Sequence, residues 1–545
     1  MPDSVRTRRL RLFVGAGLSF ALVLSVGGAA MAAGAADPGV VHTSAGAVRG
    51  TTTPTMDEYL GIPYAEPPTG AERWQRPIPK RPWTGVLDAT RFGANCPQPA
   101  SPYGSASTSE DCLHLNVYAP RGTRPGSRLP TMVWIHGGAF DYGESDDFDP
   151  APLVAHGIVV VTLNYRLGAL GFLASPALEG RARSASDSGS ASESGSGSGD
   201  YGLLDQQLAL RWVQSDIAAF GGDRDSVTLA GESAGGLSVL AQVVSPRARG
   251  LFRRAIVESG TYQLEQDSLS AAEAKDAAFV AKTGCANAAG GVAACLRGLP
   301  VATILADQNQ AGYRPNVDPD VLPSTIGAAL QAGSFGHVQV LLGTNKDEFS
   351  LFVAQDEFLK VLPPVTAANY VSDIATALGV SQQTAIAVAQ EYPVSTYPSP
   401  QLALTAVGTD GVFACNAVTA DEALARHTRV YGYQFSDEKA PQRYLPPAGF
   451  PQGASHTSEL SYLFDVKAPF PGILSGAQVL LADQMQQYWT GFVKDARPRS
   501  AAGPRWPRMS AAGAQPMINL ATPAPVPRTD FAAEHHCAFW NGSRA

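Results

Sequence analysis

Long apolar runs recur along the chain, separated by segments whose apolar residues fall at helical spacing. "TMVWIHGG" (Thr131–Gly138) and "IVVVTLNY" (Ile158–Tyr165) are nearly uninterrupted, and "DSVTLAGES" (Asp225–Ser233) and "HVQVLLGT" (His337–Thr344) have the same character. Such runs fit strands buried on both faces. "LLDQQLALRWVQSDIAAF" (Leu203–Phe220) instead sets Leu204, Leu208, Trp212 and Ala219 near one face of a helix. Buried strands alternating with helices predict an α/β fold: a central, mostly parallel sheet flanked by helices.

Two segments break the pattern. "GRARSASDSGSASESGSGSGD" (Gly180–Asp200) holds no large apolar residue, so it reads as a flexible Ser/Gly-rich surface loop. Both of its flanks carry core-type patterns, which favours one catalytic domain over residues 37–545 rather than two domains joined by a linker. The N-terminus carries Arg6, Arg8, Arg9 and Arg11, then no charge from Leu12 to Ala36, and ends in small residues such as Ala33-Gly34-Ala35. That is the layout of a signal peptide over residues 1–36, and it implies a secreted, extracellular protein. The rival reading is an uncleaved anchor, which the Ala/Gly-rich tail and the small-residue cleavage site disfavour. "TRRLRLF" only weakly resembles a twin-arginine signal, because Arg11 stands where an apolar residue is usual.

Composition narrows the class. Hydrophobic residues make up 45% of the 545 and charged residues 16%, which suits a large core. Beyond the first dozen residues no block of like charge occurs, so no nucleic-acid partner is expected. Without residues 1–36 the formal net charge moves from −8 to −11, so the mature chain should be acidic, soluble and without stable membrane insertion. Six cysteines, an even set in an exported chain, make disulfides plausible; fifteen pairings exist on paper. Cys96/Cys112 and Cys285/Cys295 would close short loops, leaving Cys415 and Cys537. No C-x-x-C or H-E-x-x-H spacing occurs, and neither a metal nor another cofactor is expected.

The candidate chemistry centres on "TLAGESAGGLSV" (Thr228–Val239). A hydroxyl is a poor nucleophile at neutral pH: it needs a base to take its proton and a third group to orient that base. In a nucleophile elbow the serine stands at a sharp strand-to-helix turn flanked by small residues. Here an apolar strand leads into Gly231-Glu232-Ser233-Ala234-Gly235, and apolar helix-like residues follow. Acyl transfer also needs N–H donors for the oxyanion. "WIHGGAFDYG" (Trp134–Gly143) could turn tightly and aim backbone N–H groups at a ligand, with His136 in a structural hydrogen-bonding role.

These motifs stand among others in one order: "YLGIPYAEPPTGAERWQRP" (Tyr59–Pro77), "SEDCLHLNVYAP" (Ser109–Pro120), "NYRLGALGFL" (Asn164–Leu173) and "DYGLLDQQLALRWVQSDIAAFGGD" (Asp200–Asp223). From about Val40 to Trp540 the chain resembles the type-B carboxylesterase family, which includes carboxylesterases and cholinesterases and has the α/β-hydrolase fold. The resemblance implies a serine carboxylester hydrolase with a Ser–Glu–His triad in chain order. Ser233 matches the nucleophile. "LLGTNKDEFSLF" (Leu341–Phe352) assigns the acid to Glu348, although the residues alone leave Asp347 equally able. "GASHTSELSYLF" (Gly453–Phe464) assigns the base to His456. The implied oxyanion donors are the N–H groups of Gly138, Ala139 and Ala234, with Gly137 in a packing role. The implied disulfides are Cys96–Cys112, Cys285–Cys295 and Cys415–Cys537. Arg73 with Glu110 and Arg166 with Asp205 match the family's ion pairs, and Ser259 matches a supporting hydrogen-bonding serine.

Departures bear on specificity. The loop "PQPASPYGSASTSED" between Cys96 and Cys112 lacks the tryptophan with which cholinesterases hold a quaternary ammonium, and Tyr103 is its only aromatic, so choline esters are not the expected substrate. The expected partner is a small-molecule ester. The alternatives are a lipase acting on acylglycerols and a non-catalytic binding protein on the same fold.

Overall fold

The computed structural model describes residues 39–178, 199–308, 312–511 and 515–543. The signal-peptide reading of residues 1–36 and nearly all of the Gly180–Asp200 loop lie outside them. Eleven strands make the central sheet and are numbered here in chain order: β1 Thr51–Thr52, β2 Met56–Pro63, β3 His114–Pro120, β4 Leu129–Ile135, β5 Val159–Leu163, β6 Gly222–Glu232, β7 Arg254–Glu258, β8 Gln339–Asn345, β9 Val430–Phe435, β10 Met517–Leu520 and β11 Val526–Arg528. Across the sheet they run β11-β10-β9-β8-β7-β6-β4-β5-β3-β2-β1.

The seven strands from β10 to β5 are mutually parallel. The edges, β11 on one side and β3, β2 and β1 on the other, are antiparallel. The long apolar runs fall in the parallel centre because both faces there are covered. On β4, Val133 and Ile135 join one core cluster while Met132 and Trp134 join the other, and β8 divides likewise with Val340 and Leu342 against Leu341. This is the α/β-hydrolase arrangement.

Three helices matter for the site. α1 (Tyr201–Asp216) begins ahead of the helix predicted over Leu203–Phe220, and the last turn of that stretch, Ile217–Phe220, tightens into a 3-10 helix that ends at Gly221 with φ 80°. Gly is suited to that left-handed stop. α2 (Ala234–Val244) follows β6 directly and is buried along its whole length. α3 (Gly476–Asp495) begins with a capping box, Ser475 with Gln478. One further helical run, Pro400–Ala425, is long and apolar enough to cross a membrane by composition, yet 72% of its most apolar window is buried within the fold.

Covalent and ionic ties fix the loops around this frame. Cys96 is bonded to Cys112, Cys285 to Cys295 and Cys415 to Cys537. Arg73 grips Glu110 through two bonds of 2.7 and 2.6 Å, and Arg166 grips Asp205 at 2.8 and 2.7 Å. Such paired forks match carboxylate geometry.

Candidate active site

At the C-terminal end of β6 the chain reverses into α2 within one residue. Ser233 occupies that corner with φ 55° and ψ −121°, a conformation costly for any residue with a side chain. The corner persists because it is tied on both sides: the Ser233 N–H donates to the Glu258 carbonyl at 2.9 Å, and its own carbonyl accepts the Leu237 N–H at 2.8 Å. The flanking glycines are a steric requirement. A Cβ on Gly231 would sit 2.6 Å from the Gly235 carbonyl carbon, and one on Gly235 would collide with the Ile135 carbonyl.

The loop after β4 lies against this corner. A Cβ on Gly137 would be 2.8 Å from a Glu232 carboxylate oxygen and 3.1 Å from the Ser233 Cβ. Gly138, Ala139 and Phe140 then take φ of 102°, 55° and 65°. The turn is held by the Gly138 carbonyl, which accepts the N–H groups of Asp141 and Tyr142 at 3.0 and 2.9 Å. The N–H groups of Gly138, Ala139 and Ala234 have no protein acceptor among the described residues. His136 is buried and stacked on Tyr165, and its Nδ1 donates to the Gly137 carbonyl at 2.8 Å. Burial outweighs that bond and lowers its pKa to about 4, so it stays neutral and serves the loop's shape.

Glu348 and His456 come from the loops after β8 and β9. The His456 Nδ1 donates to Glu348 Oε2 at 2.6 Å. Glu348 Oε1 accepts the Asn345 N–H at 2.8 Å, which fixes the carboxylate plane. The alternative acid, Asp347, points elsewhere: its Oδ2 accepts the Ala454 N–H at 2.9 Å and pins the histidine loop. Phe352 and Phe413 flank the imidazole at 5.2 and 5.3 Å.

Comparison with known proteins bears directly on these residues. A family model described as the carboxylesterase family matches residues 37–540. The chain belongs to the carboxylesterase family. It is 34% identical to para-nitrobenzyl esterase of Bacillus subtilis (strain 168) over 86% of this chain and 92% of that protein. It is 33% identical to acylcarnitine hydrolase of Mus musculus over 86% and 85% of the two chains. It is also 33% identical to acetylcholinesterase of Bungarus fasciatus, over 92% and 86%. The protein is a carboxylic ester hydrolase.

The esterase holds more acid at this centre than the motifs announce. His456 Nε2 lies 3.1 Å from Glu232 Oε1, so the imidazole stands between two carboxylates. Glu459 and Glu258 are buried behind them; Asn345 Nδ2 bonds Glu459, and Trp489 Nε1 donates to Glu258 Oε1 at 2.7 Å. Burial raises the pKa of Glu232 to about 8 and that of Glu459 to about 7, and pushes Glu258 well up. Burial alone would depress His456, but Glu232 and then Glu348 outweigh it and lift its pKa to about 9.

Glu232, Glu258, Glu459 and Asn345 are not among the residues singled out from the sequence. Glu232 was visible as the variable position of G-E-S-A-G, and Glu459 stands three residues after His456; no spacing signal marks the other two. Ser259 departs from expectation. Its Oγ is buried without a hydrogen-bond partner, and only its N–H is used, on the Gly343 carbonyl at 2.9 Å. Tyr103 packs on Tyr444 at 5.3 Å and donates its hydroxyl to Gln355 Oε1 at 2.6 Å.

Proposed function

We propose that the chain is an exported serine esterase in which Ser233 attacks the ester carbonyl, His456 carries the proton and Glu348 orients the imidazole. The observation that carries this reading is the His456–Glu348 bond of 2.6 Å beside a strained serine corner whose neighbouring N–H groups are free. Glu348 accepts from Nδ1 and leaves Nε2 as the basic nitrogen, which is the tautomer proton abstraction requires. As the tetrahedral intermediate forms, its oxyanion meets the N–H groups of Gly138, Ala139 and Ala234, already fixed by the loop and the helix start. The leaving alcohol takes the proton from His456, an acyl-enzyme remains on Ser233, and water activated by the same imidazole releases the acid.

The substrate class is a small carboxylic ester, in keeping with relatives named for para-nitrobenzyl esters and acylcarnitine. Export is supported by the N-terminal pattern and by three disulfides, which suit an oxidising compartment. Ser233→Ala should lower kcat on a short-chain aryl ester by about 10⁵–10⁶ while the thermal melt stays close to wild type. Wild-type turnover by that variant overturns the nucleophile assignment.

A further inference from the structure

Beyond the segment that carries His456 lies a concavity of about 790 Å³, lined by none of the proposed triad or oxyanion residues. That volume is within the range of small-molecule sites. Its floor is buried and apolar, with Leu60, Phe464 and Val466. Its rim is apolar and open: Phe92 is 43% exposed, Val479 53% and Ile473 92%. Large apolar side chains gathered at one open rim mark a surface built to be covered.

Four carboxylates line this wall, Glu58, Asp146, Asp149 and Asp465, with Arg443 and Lys467 among them; Asp146 is paired with Lys467, which leaves Glu58, Asp149 and Asp465. Asp149 and Asp465 stand directly opposite each other where Phe148–Asp149 pairs antiparallel with Asp465–Val466. Like charges at that position destabilise a strand pair. Glu58 is raised by burial and by the charge of Asp149, which puts it in the same field. None of the three has an ion-pair partner within 4 Å among the described residues, apart from the longer-range pull of Arg443 on Asp465. Arg443 donates to the Phe470 and Val466 carbonyls at 2.7 and 2.8 Å. Lys467 is turned to Asp146 at 3.0 Å, with Glu144 at 3.7 Å and Asp147 at 3.9 Å. Ser461 Oγ also lines the concavity and has no partner.

The fold therefore keeps a repulsive acidic pair beside uncovered apolar side chains, and a single kind of ligand relieves both. An inorganic cation would leave the rim exposed. A neutral apolar molecule would leave the carboxylates opposed. We propose that this concavity binds an amphipathic organic cation, with an ammonium head toward Asp149, Asp465 and Glu58 and an aromatic or aliphatic body against Phe92, Ile473 and Val479. The inference is independent of the catalytic assignment, because it is read as binding and not as turnover.

The test is calorimetric titration of the whole protein with 4-phenylbutyltrimethylammonium, against 4-phenylbutan-1-ol as the neutral counterpart. Wild type should bind one equivalent of the cation, at least about tenfold more tightly than the alcohol, and more weakly as salt rises. Asp149→Asn with Asp465→Asn should weaken the cation by about tenfold or more and melt no lower than wild type, since it removes the opposed pair. If that variant melts lower, Ile473→Ser, at a side chain almost wholly in solvent, carries the test, with a several-fold loss expected. Unchanged affinity in the folded carboxamide variant, equal binding of the alcohol, or no saturable binding overturns the proposal; the first would send the cation to another site, the acidic catalytic centre included.

Discussion

Among the described residues, two buried histidine–carboxylate pairs look alike at close range. His456 Nδ1 meets Glu348 at 2.6 Å, and His535 Nδ1 meets Asp410 at 2.5 Å. They part at the other ring nitrogen. The His535 Nε2 is 2.7 Å from Gln434 Nε2, whose amide oxygen accepts from Arg528, and Asp410 also accepts the Tyr392 hydroxyl at 2.8 Å. Every polar atom of that pair is spent, and the pair sits beside the Cys415–Cys537 bond, clamping the C-terminal helix. The His456 Nε2 instead faces Glu232, next to a serine held at φ 55° and three N–H groups without an acceptor among the described residues. A histidine–carboxylate pair is therefore not a site in itself. What makes one is an unspent second nitrogen aimed at groups that the fold has left unsatisfied.

The comparison breaks most sharply if one member of each pair is replaced in turn. Glu348→Gln keeps the shape but no longer selects the tautomer with a free basic Nε2, so kcat should fall by about 10⁴. His535→Ala should leave kcat within about twofold and cost about 1–3 kcal/mol of stability, because Asp410 loses one buried partner. Ester hydrolysis and thermal melts on both variants decide the matter. Loss of turnover in His535→Ala without loss of stability would erase the distinction between the two pairs.

How far this distinction was legible in the sequence depends on the range of the interactions. The central strands were readable because residues buried on both faces must be apolar on both, so β4, β5, β6 and β8 announce themselves. Run ends were not: the apolar string at Thr131–Gly138 continues past β4 into the proposed oxyanion loop, since Ile135 ends the ladder while His136 is still buried. The antiparallel edges and the π-helical turn at Thr409–Ala414 carry no period that distinguishes them. At the site, Ser233 was readable from local sterics, because Gly231 and Gly235 are demanded by the turn itself. Glu348 was separated from Asp347 by motif resemblance, and in the structure the two differ by which loop atom each bonds, a matter of tertiary contact. Glu258 and Glu459 escaped notice because their role is collective: each is unremarkable until four carboxylates and one imidazole are packed together.

A smaller effect tests whether the free N–H groups belong to the catalytic pair alone. Ala234 is the first residue of α2, where a helix tolerates proline because that N–H has no helical acceptor. Ala234→Pro deletes one donor without changing any side-chain chemistry. It should lower kcat by about 10²–10³ with a much smaller change in KM. An unaltered kcat in a variant that melts like wild type would remove Ala234 from the oxyanion site.

The smallest expected effect concerns pH and follows from the feature that most separates the two pairs, the second carboxylate on His456. In the proposed mechanism the base is the neutral imidazole, and Glu232 and Glu348 together lift the His456 pKa to about 9 against the opposing pull of burial. The kcat/KM of wild type should therefore rise with pH through an alkaline limb. Of the groups that raise this pKa, Glu232 is the strongest. Glu232→Gln removes that charge and keeps the size, so the limb should move to lower pH. The same shifts bear on stability, and the signs agree. A histidine whose pKa is raised on folding stabilises fully below about 6.5 and loses that contribution as pH climbs through about 9. The Glu232 carboxyl, raised by burial, likewise costs stability as it ionises on the way up. Wild type should lose melting temperature between pH 7 and 9 more steeply than Glu232→Gln, while gaining activity over the same interval. A pH–rate profile from 5 to 10 and paired melts measure both. A limb that stays in place, or moves upward in the variant, would mean that the proton on His456 is governed by Glu348 alone, and that the two histidine pairs are more alike than the charge around them suggests.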